Sequence, residues 1–398
     1  MKRSTLEHQI SNSTMSRQSD SRVAPIRVMH VIDKLSVSGS GVHGITKAIE
    51  WWIPRFNQQE FQFTVCSLRS PEPAGEILNQ QGIPTVFLNK GKFSLTTLTS
   101  LLSLIRHEKP HILHLHGYGA ANFGRLASLL TGIPNIVHEH AVLPNQPFYQ
   151  TLADTLLSPL TTRALAVSEA VREFMIHERK VQPTKLETLV IGLPLAACQA
   201  PHSEELREKR ADLGIADDEQ IVCTVGRLDT QKGQIYLLKA AALILRELPK
   251  TRFLIVGEGP DRSMLQSVAQ EEGIAEQVVF TGFRNDVPAL LTMSDIVAMP
   301  SLWEGLPLTL LEAMNLHKPV VGTYAQGIGE VIQDQETGFL VPIKNVDFLA
   351  ARIIYLLKNP HLARTMGEQG WKRCQDYDIM HSVQRLSDMY RTLSAHHH

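Results

Sequence analysis

The segment at residues 299–314 reads Met-Pro-Ser-Leu-Trp-Glu-Gly-Leu-Pro-Leu-Thr-Leu-Leu-Glu-Ala-Met, and it decides the fold of the second half of the chain. It follows an apolar, strand-like run that begins at Asp295 and stops at Pro300. Pro307 suits the first turn of a helix, where a missing N–H costs nothing. The apolar residues that follow favour a helix over residues 308–314. The segment therefore predicts a strand, a tight loop and a helix N-terminus in direct succession.

Two glutamates bracket this predicted helix N-terminus. Glu304 lies in the loop beside Gly305, and Glu312 lies about one turn into the helix. Backbone N–H groups at a helix N-terminus, here those of Leu308 and Thr309, bind anions such as phosphate. Carboxylates accept hydrogen bonds from hydroxyl groups. The combination suits a nucleotide-sugar, with the phosphates in the middle, a ribose on one side and a sugar on the other.

Composition sets the broad class of the protein. The chain has 398 residues, of which 43% are hydrophobic and 20% charged, as expected for a globular protein of two domains. A net charge of -1 gives no bulk electrostatic attraction to nucleic acid or to an anionic membrane. The four cysteines show no metal or redox spacing. The chain has no membrane-spanning apolar run and no leader, which predicts a cytoplasmic protein.

Strand-like and helix-like segments alternate along both halves of the chain, which predicts parallel, doubly wound sheets. In the first half the predicted strands are residues 26–32, 61–68, 85–88, 111–115, 134–138 and 164–168. In the second half they are residues 220–225, 253–256, 278–280, 295–299, 319–322 and 337–341.

The spacing of Glu304 and Glu312, with seven residues between them inside Pro-Ser-Leu-Trp-Glu-Gly-Leu-Pro-Leu…Glu-Ala-Met, resembles the signature of retaining GT-B glycosyltransferases of family 4. The resemblance covers residues 27–391. It implies an α/β protein with the GT-B fold, in which two Rossmann-like, doubly wound domains face each other across a cleft. The implied organisation is an acceptor-side domain at 25–198, a nucleotide-sugar-binding domain at 199–375 and a helix at 376–395 that crosses back to the first domain. Residues 1–24 are rich in Ser, Gln and Asn and lack an apolar period, which predicts a disordered tail.

The loop after the first strand contains Gly39, Gly41 and Gly44, which satisfy the Gly-x-Gly-x-x-Gly spacing of a dinucleotide-binding fingerprint. That fingerprint expects an acidic residue at the end of the second strand, whereas this strand ends in Leu-Arg-Ser around Arg69. An NADP-dependent oxidoreductase, with Arg69 at the phosphate, is therefore an alternative. The family resemblance instead implies that Gly41 approaches the phosphates of the donor across the cleft.

A predicted helix at residues 95–108 carries leucines on one side and follows Lys90 and Lys92. Packing of this apolar side on a sheet is the favoured interpretation. Peripheral contact with a membrane, at its inner face, is the less favoured alternative.

Two histidine pairs mark the ends of two predicted strands. His114 and His116 form one pair, and His138 and His140 form the other. A metal site built from all four is one interpretation. The rim of a ligand-binding cleft is the favoured one. The run Val-His-Glu-His-Ala around His140 resembles the Thr-Glu-His segment of the family, which implies that His140 is the active-site histidine beside the donor sugar.

The strand at 220–225 leads into Gly-Arg-Leu-Asp-Thr-Gln-Lys-Gly, which contains Arg227 and Lys232. Two fixed cations stabilise the charge that develops on a departing diphosphate, and guanidinium binds two oxygens at once. The alternative is that Arg227 and Lys232 only form ion pairs at the surface and have no role in binding. Further on, Gly257 lies in a glycine turn that would let a ligand approach the backbone. By the resemblance, the backbone near Phe283 and Arg284 borders the base.

The resemblance implies a retaining, metal-independent hexosyltransferase that moves a sugar from a UDP- or GDP-sugar to an acceptor hydroxyl. It implies no cofactor beyond the nucleotide-sugar. In this interpretation Arg227 and Lys232 bind the diphosphate, and the N–H groups of Leu308 and Thr309 support the distal phosphate. Glu312 binds the ribose, and Glu304 and His140 contact the sugar. An NDP-sugar epimerase, another GT-B enzyme without an acceptor, and a non-catalytic binding protein are the alternatives. The acceptor, a glycan, a lipid or a small molecule, is not identified.

Overall fold

The computed structural model of the chain describes residues 24–36, 44–92, 94–142 and 146–395. Residues 1–23 of the predicted tail lie outside the described residues, and so do Gly39 and Gly41. Two parallel sheets dominate the described part of the chain.

The first sheet has seven strands in the order β3-β2-β1-β4-β5-β6-β7, and every pair is parallel. Its strands are β1 (Ile26–Ile32), β2 (Phe61–Ser67), β3 (Thr85–Phe87), β4 (Ile112–His116), β5 (Asn135–Glu139), β6 (Arg163–Ala166) and β7 (Leu186–Thr188).

The second sheet has six strands in the order β10-β9-β8-β11-β12-β13, again all parallel. Its strands are β8 (Gln220–Val225), β9 (Thr251–Val256), β10 (Val278–Gly282), β11 (Ile296–Met299), β12 (Val320–Thr323) and β13 (Gly338–Val341). The prediction of two doubly wound parallel sheets is confirmed. The domain boundaries predicted at 198 and 375 stay predictions.

Helices connect the strands of both sheets. Those around the first sheet are α1 (Gly44–Trp52), α2 (Pro73–Gln80), α3 (Thr96–Glu108), α4 (Tyr118–Thr131), α5 (Phe148–Leu157) and α6 (Glu169–His177). The others are α7 (Ser203–Asp212), α8 (Gln234–Glu247), α9 (Arg262–Glu271), α10 (Val287–Thr292), α11 (Leu308–Asn315), α12 (Gln326–Val331), α13 (Val346–Lys358), α14 (Pro360–Cys374) and α15 (Ile379–Ala395).

The strand order shows at which loops of each sheet a ligand is expected to bind. In each sheet the chain winds outward in one direction, then returns to the centre and winds outward in the other, so the reversal lies between β1 and β4 and between β8 and β11. Open α/β sheets bind ligands beyond the carboxyl ends of the strands at such a reversal. The loops after Val225 and Met299 are therefore the expected site on the second sheet, and those after Ile32 and His116 on the first.

The last helix, α15, packs on the first sheet. The phenol ring of Tyr390 lies 6.0 Å from the ring of Phe61 and 5.7 Å from that of Phe56, measured between centroids. The indole N–H of Trp52, in α1, donates to Ser382 Oγ at 2.9 Å. Burial of Leu386 and Tyr390 at 0% exposure makes this contact a large apolar one.

The leucine-bearing helix begins at Thr96, with Leu95 as its N-cap residue. Its face with Leu101 and Ile105 is buried, as the favoured interpretation predicted, whereas Leu95 is 89% exposed. Across the described residues, the longest and most apolar helices still fall short of what crossing a bilayer requires.

A carboxylate on the second half of the chain caps a helix on the first. Glu330, in α12, accepts hydrogen bonds at 2.8 Å from the backbone N–H groups of Glu169 and Ala170, at the start of α6. A negative group at a helix N-terminus is stabilised by the unsatisfied N–H groups and by the helix dipole.

Replacing Glu330 by Ala removes these two hydrogen bonds, whereas the N-cap residue Ser168 keeps its bond from the N–H group of Val171. We expect the free energy of unfolding to fall by about 1–2 kcal/mol, similar to the effect of losing a side chain that accepts hydrogen bonds at a helix N-terminus. Urea denaturation of both proteins measures the change. Glu336→Ala is the matched control because Glu336 is an exposed glutamate shortly after α12. Equal destabilisation by the two substitutions would contradict the capping role.

Candidate active site

The carboxylate of Glu304 is the centre of a hydrogen-bond cluster. Glu304 is 4% exposed. Lys232 Nζ donates to Glu304 Oε1 at 2.6 Å, and Ser301 Oγ donates to the same oxygen at 2.7 Å. Gln231 Nε2 donates to Oε2 at 3.4 Å. Lys232 and Gln231 belong to a short turn after β8, and Glu304 follows β11. The cluster forms because β8 and β11 are neighbours in the sheet.

Arg227 is also paired with a carboxylate. Its guanidinium contacts Asp229, whose side chain accepts the backbone N–H of Lys232 at 3.3 Å. The sequence interpretation offered a diphosphate role and an ion pair as alternatives, and in the structure each cation does hold a carboxylate. An ammonium has three N–H donors and a guanidinium five, so each retains donors for a second partner. The side chains of Arg227 and Lys232 are 38% and 23% exposed.

The helix predicted after this loop, α11, begins at Leu308 as expected. Pro307 is its N-cap residue, with φ -76° and ψ 111°, so the prediction that Pro307 lies in the first helical turn is wrong. The extended backbone of Pro307 explains the difference. No described side chain caps this end. The N–H groups of Leu308 and Thr309 therefore lie at a helix N-terminus, close in sequence to the cluster at Glu304.

Glu312 lies further along α11 and faces a different environment. Burial raises the pKa of its carboxyl group, because removal from water disfavours the charged form, while the charge of Lys47 acts in the opposite direction. Lys47 belongs to α1 of the first sheet and pairs with Glu50 at 3.2 Å. Sequence reasoning missed Lys47. Its position just after the glycine-containing loop was the only available signal.

Gly305 is the point where the loops of the two sheets meet. A Cβ atom at Gly305 would overlap the backbone carbonyl oxygen of His140, and a Cβ atom at Gly327 would overlap that of Gly305. Three backbone segments therefore pack against one another without intervening side chains. This contact brings together Glu304, which follows β11, and His140, which follows β5, as the sequence interpretation required.

The glycine turn after β9 has a structural role that the sequence did not predict. Gly257 has φ 132°, and a Cβ atom there would overlap the carbonyl oxygen of Gly226. The missing side chain thus allows the backbones after β8 and β9 to approach each other. It supports the loop that carries Arg227, and the direct approach of a ligand to Gly257 stays a prediction.

The side chain of Arg284 is bound within the protein. Its guanidinium donates to both oxygens of Asp286, at 2.8 and 2.6 Å, and Lys209 Nζ donates to Asp286 at 2.6 Å. These two cations lower the pKa of Asp286, with Arg284 the larger influence. The ring of Phe283 is 45% exposed beside them. The predicted backbone contact with the base stays a prediction.

Arg69, the residue that the NADP alternative requires, is engaged elsewhere. Its guanidinium lies 3.3 Å from Asp33 Oδ1, and it donates to the carbonyl oxygen of Gly91 at 3.0 Å. Asp33 also accepts the backbone N–H of Gly119 at 2.7 Å. Arg69 thus ties three loops at the carboxyl edge of the first sheet.

Five imidazole rings form two hydrogen-bonded rows beside the first sheet. In one row, His30 Nδ1 lies 2.9 Å from His116 Nε2, and His116 Nδ1 lies 2.9 Å from His140 Nε2. In the other, Tyr390 Oη lies 2.7 Å from His114 Nδ1, and His114 Nε2 lies 3.2 Å from His138 Nδ1. The rows stack on each other, with 4.4 Å between the ring centroids of His114 and His116.

Strand register explains why these rings meet. His30 pairs with His114 across β1 and β4, and His116 pairs with His138 across β4 and β5. The sequence predicted that the pairs around β4 and β5 share an edge, but it missed His30. The signal was a histidine in the middle of a central strand that is apolar apart from Arg27 near its start.

Burial keeps four of these rings neutral, those of His30, His114, His116 and His138. It lowers the pKa of His30 and of His138 from 6.5 to about 3, and it lowers those of His114 and His116 well below the usual range. Neighbouring imidazoles lower the pKa values further, because a second positive charge would be repelled.

Two groups of three histidines lie close enough to hold a metal ion, but in one of them the ring orientations do not favour a shared ion. Ligand atoms of His116, His138 and His140 lie within 4.8 Å of one another, and so do those of His30, His114 and His116. Yet the rings of His138 and His140 stack at 4.3 Å and 28°. Ligands of one ion direct their in-plane nitrogen lone pairs at a common point, whereas stacked rings direct them side by side. The observed arrangement is a pair of hydrogen-bonded rows.

Two family profiles match adjoining parts of the sequence. Residues 43–195 match the family described as Glycosyltransferase Family 4, and residues 206–373 match Glycosyl transferases group 1. This chain is a group 1 glycosyltransferase. The family expected from the two glutamates and their surroundings is thereby confirmed, whereas retention of the anomeric configuration stays a prediction.

Named relatives of this glycosyltransferase span most of its length. The UDP-Gal:alpha-D-GlcNAc-diphosphoundecaprenol alpha-1,3-galactosyltransferase of Escherichia coli is 27% identical over 320 residues, which cover 77% of this chain and 82% of that one. The alpha-D-kanosaminyltransferase of Streptomyces kanamyceticus is 28% identical over 295 residues, which cover 70% and 76%.

Solved structures share the fold of this glycosyltransferase. HepE of Anabaena, in complex with UDP-glucose, aligns with a TM-score of 0.80 at 19% identity over 92% of this chain and 100% of that one. WaaG, a glycosyltransferase involved in lipopolysaccharide biosynthesis, aligns with a TM-score of 0.70 at 15% identity over 91% and 99%. The predicted GT-B fold is confirmed.

We expect Gly305→Ala to lower kcat/KM for transfer by about tenfold to a hundredfold, because the added methyl group separates the loops of Glu304 and His140 and small misplacements are costly. Gly329→Ala is the control, since a Cβ atom there meets nothing within 4 Å. Steady-state kinetics of both variants measures the effect. Unchanged kinetics in the Gly305 variant would contradict the role of this contact.

We expect acidification to destabilise the glycosyltransferase through its buried histidines. In the folded state His30 and His138 stay neutral down to about pH 3, whereas in the unfolded state they take up protons below their usual pKa of 6.5. The free energy of unfolding therefore falls as the pH drops from 6.5 towards 3, by about 1 kcal/mol per ring between about pH 7 and 5.5.

Urea denaturation at several pH values measures this slope. His138→Phe should make the slope shallower, and His361→Ala, at an exposed position, should leave it unchanged. An unaltered slope in the His138 variant would show that the ring gains its proton in the folded state as well.

Proposed function

We propose that this glycosyltransferase transfers a hexose from a UDP- or GDP-sugar to an acceptor hydroxyl, with retention of the anomeric configuration and without a metal ion. The observation that carries the proposal is the cluster in which Lys232 contacts Glu304 at 2.6 Å, next in sequence to the N-terminus of α11 and to the Gly305 contact with His140. The donors named in the relatives support a nucleotide-sugar. These are UDP-Gal in the galactosyltransferase name and UDP-glucose in the HepE complex.

The diphosphate is assigned to Arg227, Lys232 and the first N–H groups of α11. Charge accumulates on the diphosphate as its bond to the sugar breaks, and fixed donors stabilise that charge without reorganising. Glu304 and Asp229 hold the two cations in place before the donor arrives. The site is therefore pre-organised, and the diphosphate gains the N–H donors that the carboxylates leave.

Glu304 and His140 are assigned to the donor sugar. Glu304 Oε1 accepts from Lys232 and Ser301, whereas Oε2 has one weak contact at 3.4 Å and can accept from a sugar hydroxyl. His140 approaches from the first sheet. Glu312 is assigned to the ribose, whose hydroxyl groups would stabilise the charged carboxylate that burial disfavours.

Retention is proposed to follow from attack on the same face as the leaving group. The bond from the anomeric carbon to the diphosphate oxygen breaks, the bond to the acceptor oxygen forms, and the acceptor proton passes to the departing phosphate. NMR of the product reports the anomeric configuration directly. Transfer in the presence of EDTA tests metal independence. Release of UDP, or formation of an epimer, with no acceptor present would favour an acceptor-free enzyme instead.

Calorimetry with UDP, GDP and their hexose conjugates tests donor binding. A panel of glycan, lipid-linked and small-molecule hydroxyl acceptors then tests transfer. Failure of every nucleotide to bind would overturn the proposal.

We expect Arg227→Ala and Lys232→Ala each to lower kcat by about a hundredfold to a thousandfold, because each removes fixed positive charge from the leaving group. Radiolabelled sugar transfer measures turnover, and titration with UDP measures nucleotide affinity. Lys250→Ala is the matched control, since this lysine is paired with Asp218 on the surface. Near-normal turnover in both site variants would remove the diphosphate assignment.

A further inference from the structure

Glu139, the last residue of β5, holds the peptide group that leads into His140. Its side-chain Oε1 accepts the backbone N–H of His140 at 3.2 Å. On the other side of the same peptide group, the carbonyl oxygen of Glu139 accepts the backbone N–H of Val167 at 3.3 Å. Because a peptide group is planar, hydrogen bonds on both of its sides fix its orientation.

The next peptide group along the chain packs against the second half of the protein. It carries the carbonyl oxygen of His140, and a Cβ atom at Gly305 would overlap this oxygen. Both peptide groups that flank the Cα atom of His140 are therefore restrained, one within the first sheet and one by the loop after β11. Their orientations set φ and ψ of His140, and with them the direction of its Cα–Cβ bond.

The carboxylate of Glu139 is itself held by a buried arginine. Arg179 Nη2 lies 3.2 Å from Glu139 Oε2, an ion pair without the alignment of a hydrogen bond. The two side chains are only 5% and 13% exposed, so solvent screens their attraction little. Both oxygens of Glu139 are thus engaged, one by the N–H group of its neighbour and one by the guanidinium.

Arg179 is fixed in turn by a second carboxylate. Its Nη1 donates to Asp154 Oδ2 at 2.8 Å, and Arg125 Nη1 donates to Asp154 Oδ1 at 3.1 Å. The guanidinium of Arg179 also lies over the rings of Tyr118 and Phe174, 5.2 and 5.3 Å from their centroids. Two guanidinium groups and two carboxylates balance in charge, which is the condition under which buried ions are tolerated.

The directions of the two carboxylate oxygens decide between two roles for Glu139. A nucleophile or a general base presents an oxygen to the substrate. Glu139 instead directs Oε1 to the backbone of His140 and Oε2 to Arg179. The same guanidinium donates to Gln146 Oε1 at 3.2 Å, so Arg179 contacts the chain both before and after His140. This geometry favours a supporting role.

We propose that Glu139 is a positioning residue, held by Arg179, Asp154 and Arg125, that fixes the backbone of His140 at its contact with Gly305. The inference rests on the proposed contact of His140 with the donor sugar. The first sheet then places its polar group at the sugar through the backbone of that residue. Small misplacements of such a group are costly in rate.

NMR of protein labelled with nitrogen-15 at the histidine amides tests this positioning without any assay of function. The resonance of His140 is assigned from its absence in His140→Gln. We expect Glu139→Leu, which lacks an acceptor, to shift this resonance and to speed the exchange of its proton with water. Glu139→Gln keeps an oxygen acceptor and should retain most of the protection. An unchanged His140 amide in Glu139→Leu would overturn the proposal.

Kinetics measures the consequence for transfer. We expect kcat to fall about a hundredfold in Glu139→Leu but no more than about fivefold in Glu139→Gln, whose amide oxygen still accepts the N–H of His140. Arg179→Lys should lower kcat about tenfold, because an ammonium lacks the fork that reaches two carboxylates. Affinity for UDP should stay within about twofold in all three variants, since the proposed diphosphate groups lie on the second sheet.

Ile136→Ala is the matched control. Ile136 lies on the same strand and is 0% exposed, so its truncation destabilises β5, but its side chain offers no hydrogen bond to the peptide group of His140. The stoichiometry of UDP binding gives the folded fraction of each variant, and kcat is expressed per folded molecule. We expect the control to stay within about twofold. Equal losses in Ile136→Ala and Glu139→Leu would show that the strand only needs to be stable, and this result overturns the proposal.

A chemical role for Glu139 gives a different result. If its carboxylate attacks the sugar, Glu139→Gln loses as much activity as Glu139→Leu, and azide added to Glu139→Ala restores turnover with a glycosyl azide as product. Either outcome overturns the proposal. Absence of UDP binding in the unmodified protein would count against the proposed function, while exchange of the His140 amide would still decide whether Glu139 holds it.

Discussion

The backbone contact at Gly305 is the constraint on which the site depends. The loop after β11 carries Glu304 and leads into α11, and the loop after β5 carries His140. These loops approach closely because Gly305 presents only hydrogen atoms to the carbonyl oxygen of His140, and Gly327 does the same to Gly305. A side chain at Gly305 would separate the two sheets where the proposed donor groups meet, and one at Gly327 would displace the loop that carries Gly305.

Near this contact, each of two cations is paired with a carboxylate before any ligand binds. Lys232 is held by Glu304, and Arg227 by Asp229. A buried carboxylate without a partner would be costly, so Glu304 gains most from its cation. Glu312 shows the opposite situation, because burial raises its pKa and Lys47 offers only partial compensation. The proposed diphosphate site is therefore organised by the protein alone, whereas Glu312 is the group whose charged form a polar ligand would stabilise most.

The histidine rows place polar groups where a parallel sheet normally buries apolar ones. Strands buried on both faces read as continuous apolar runs, and β1 follows this rule except at Arg27, near its start, and at His30. Hydrogen bonds between the rings satisfy most of their nitrogens, and stacking retains aromatic packing. Buried polar networks that are well satisfied specify one arrangement of the core, since any alternative leaves groups unpaired.

The sequence by itself determined the fold class, the Glu304–Glu312 signature and the helix that begins at Leu308, because these follow from periodicity, turn chemistry and short-range spacing. Only the tertiary structure decided that Lys232 binds Glu304, that Gly257 makes room for Gly226, and that His30 completes the row to His140. Each of these contacts joins residues that are distant in the chain. They depend on which strands become neighbours and in what register, and local sequence patterns do not encode that choice.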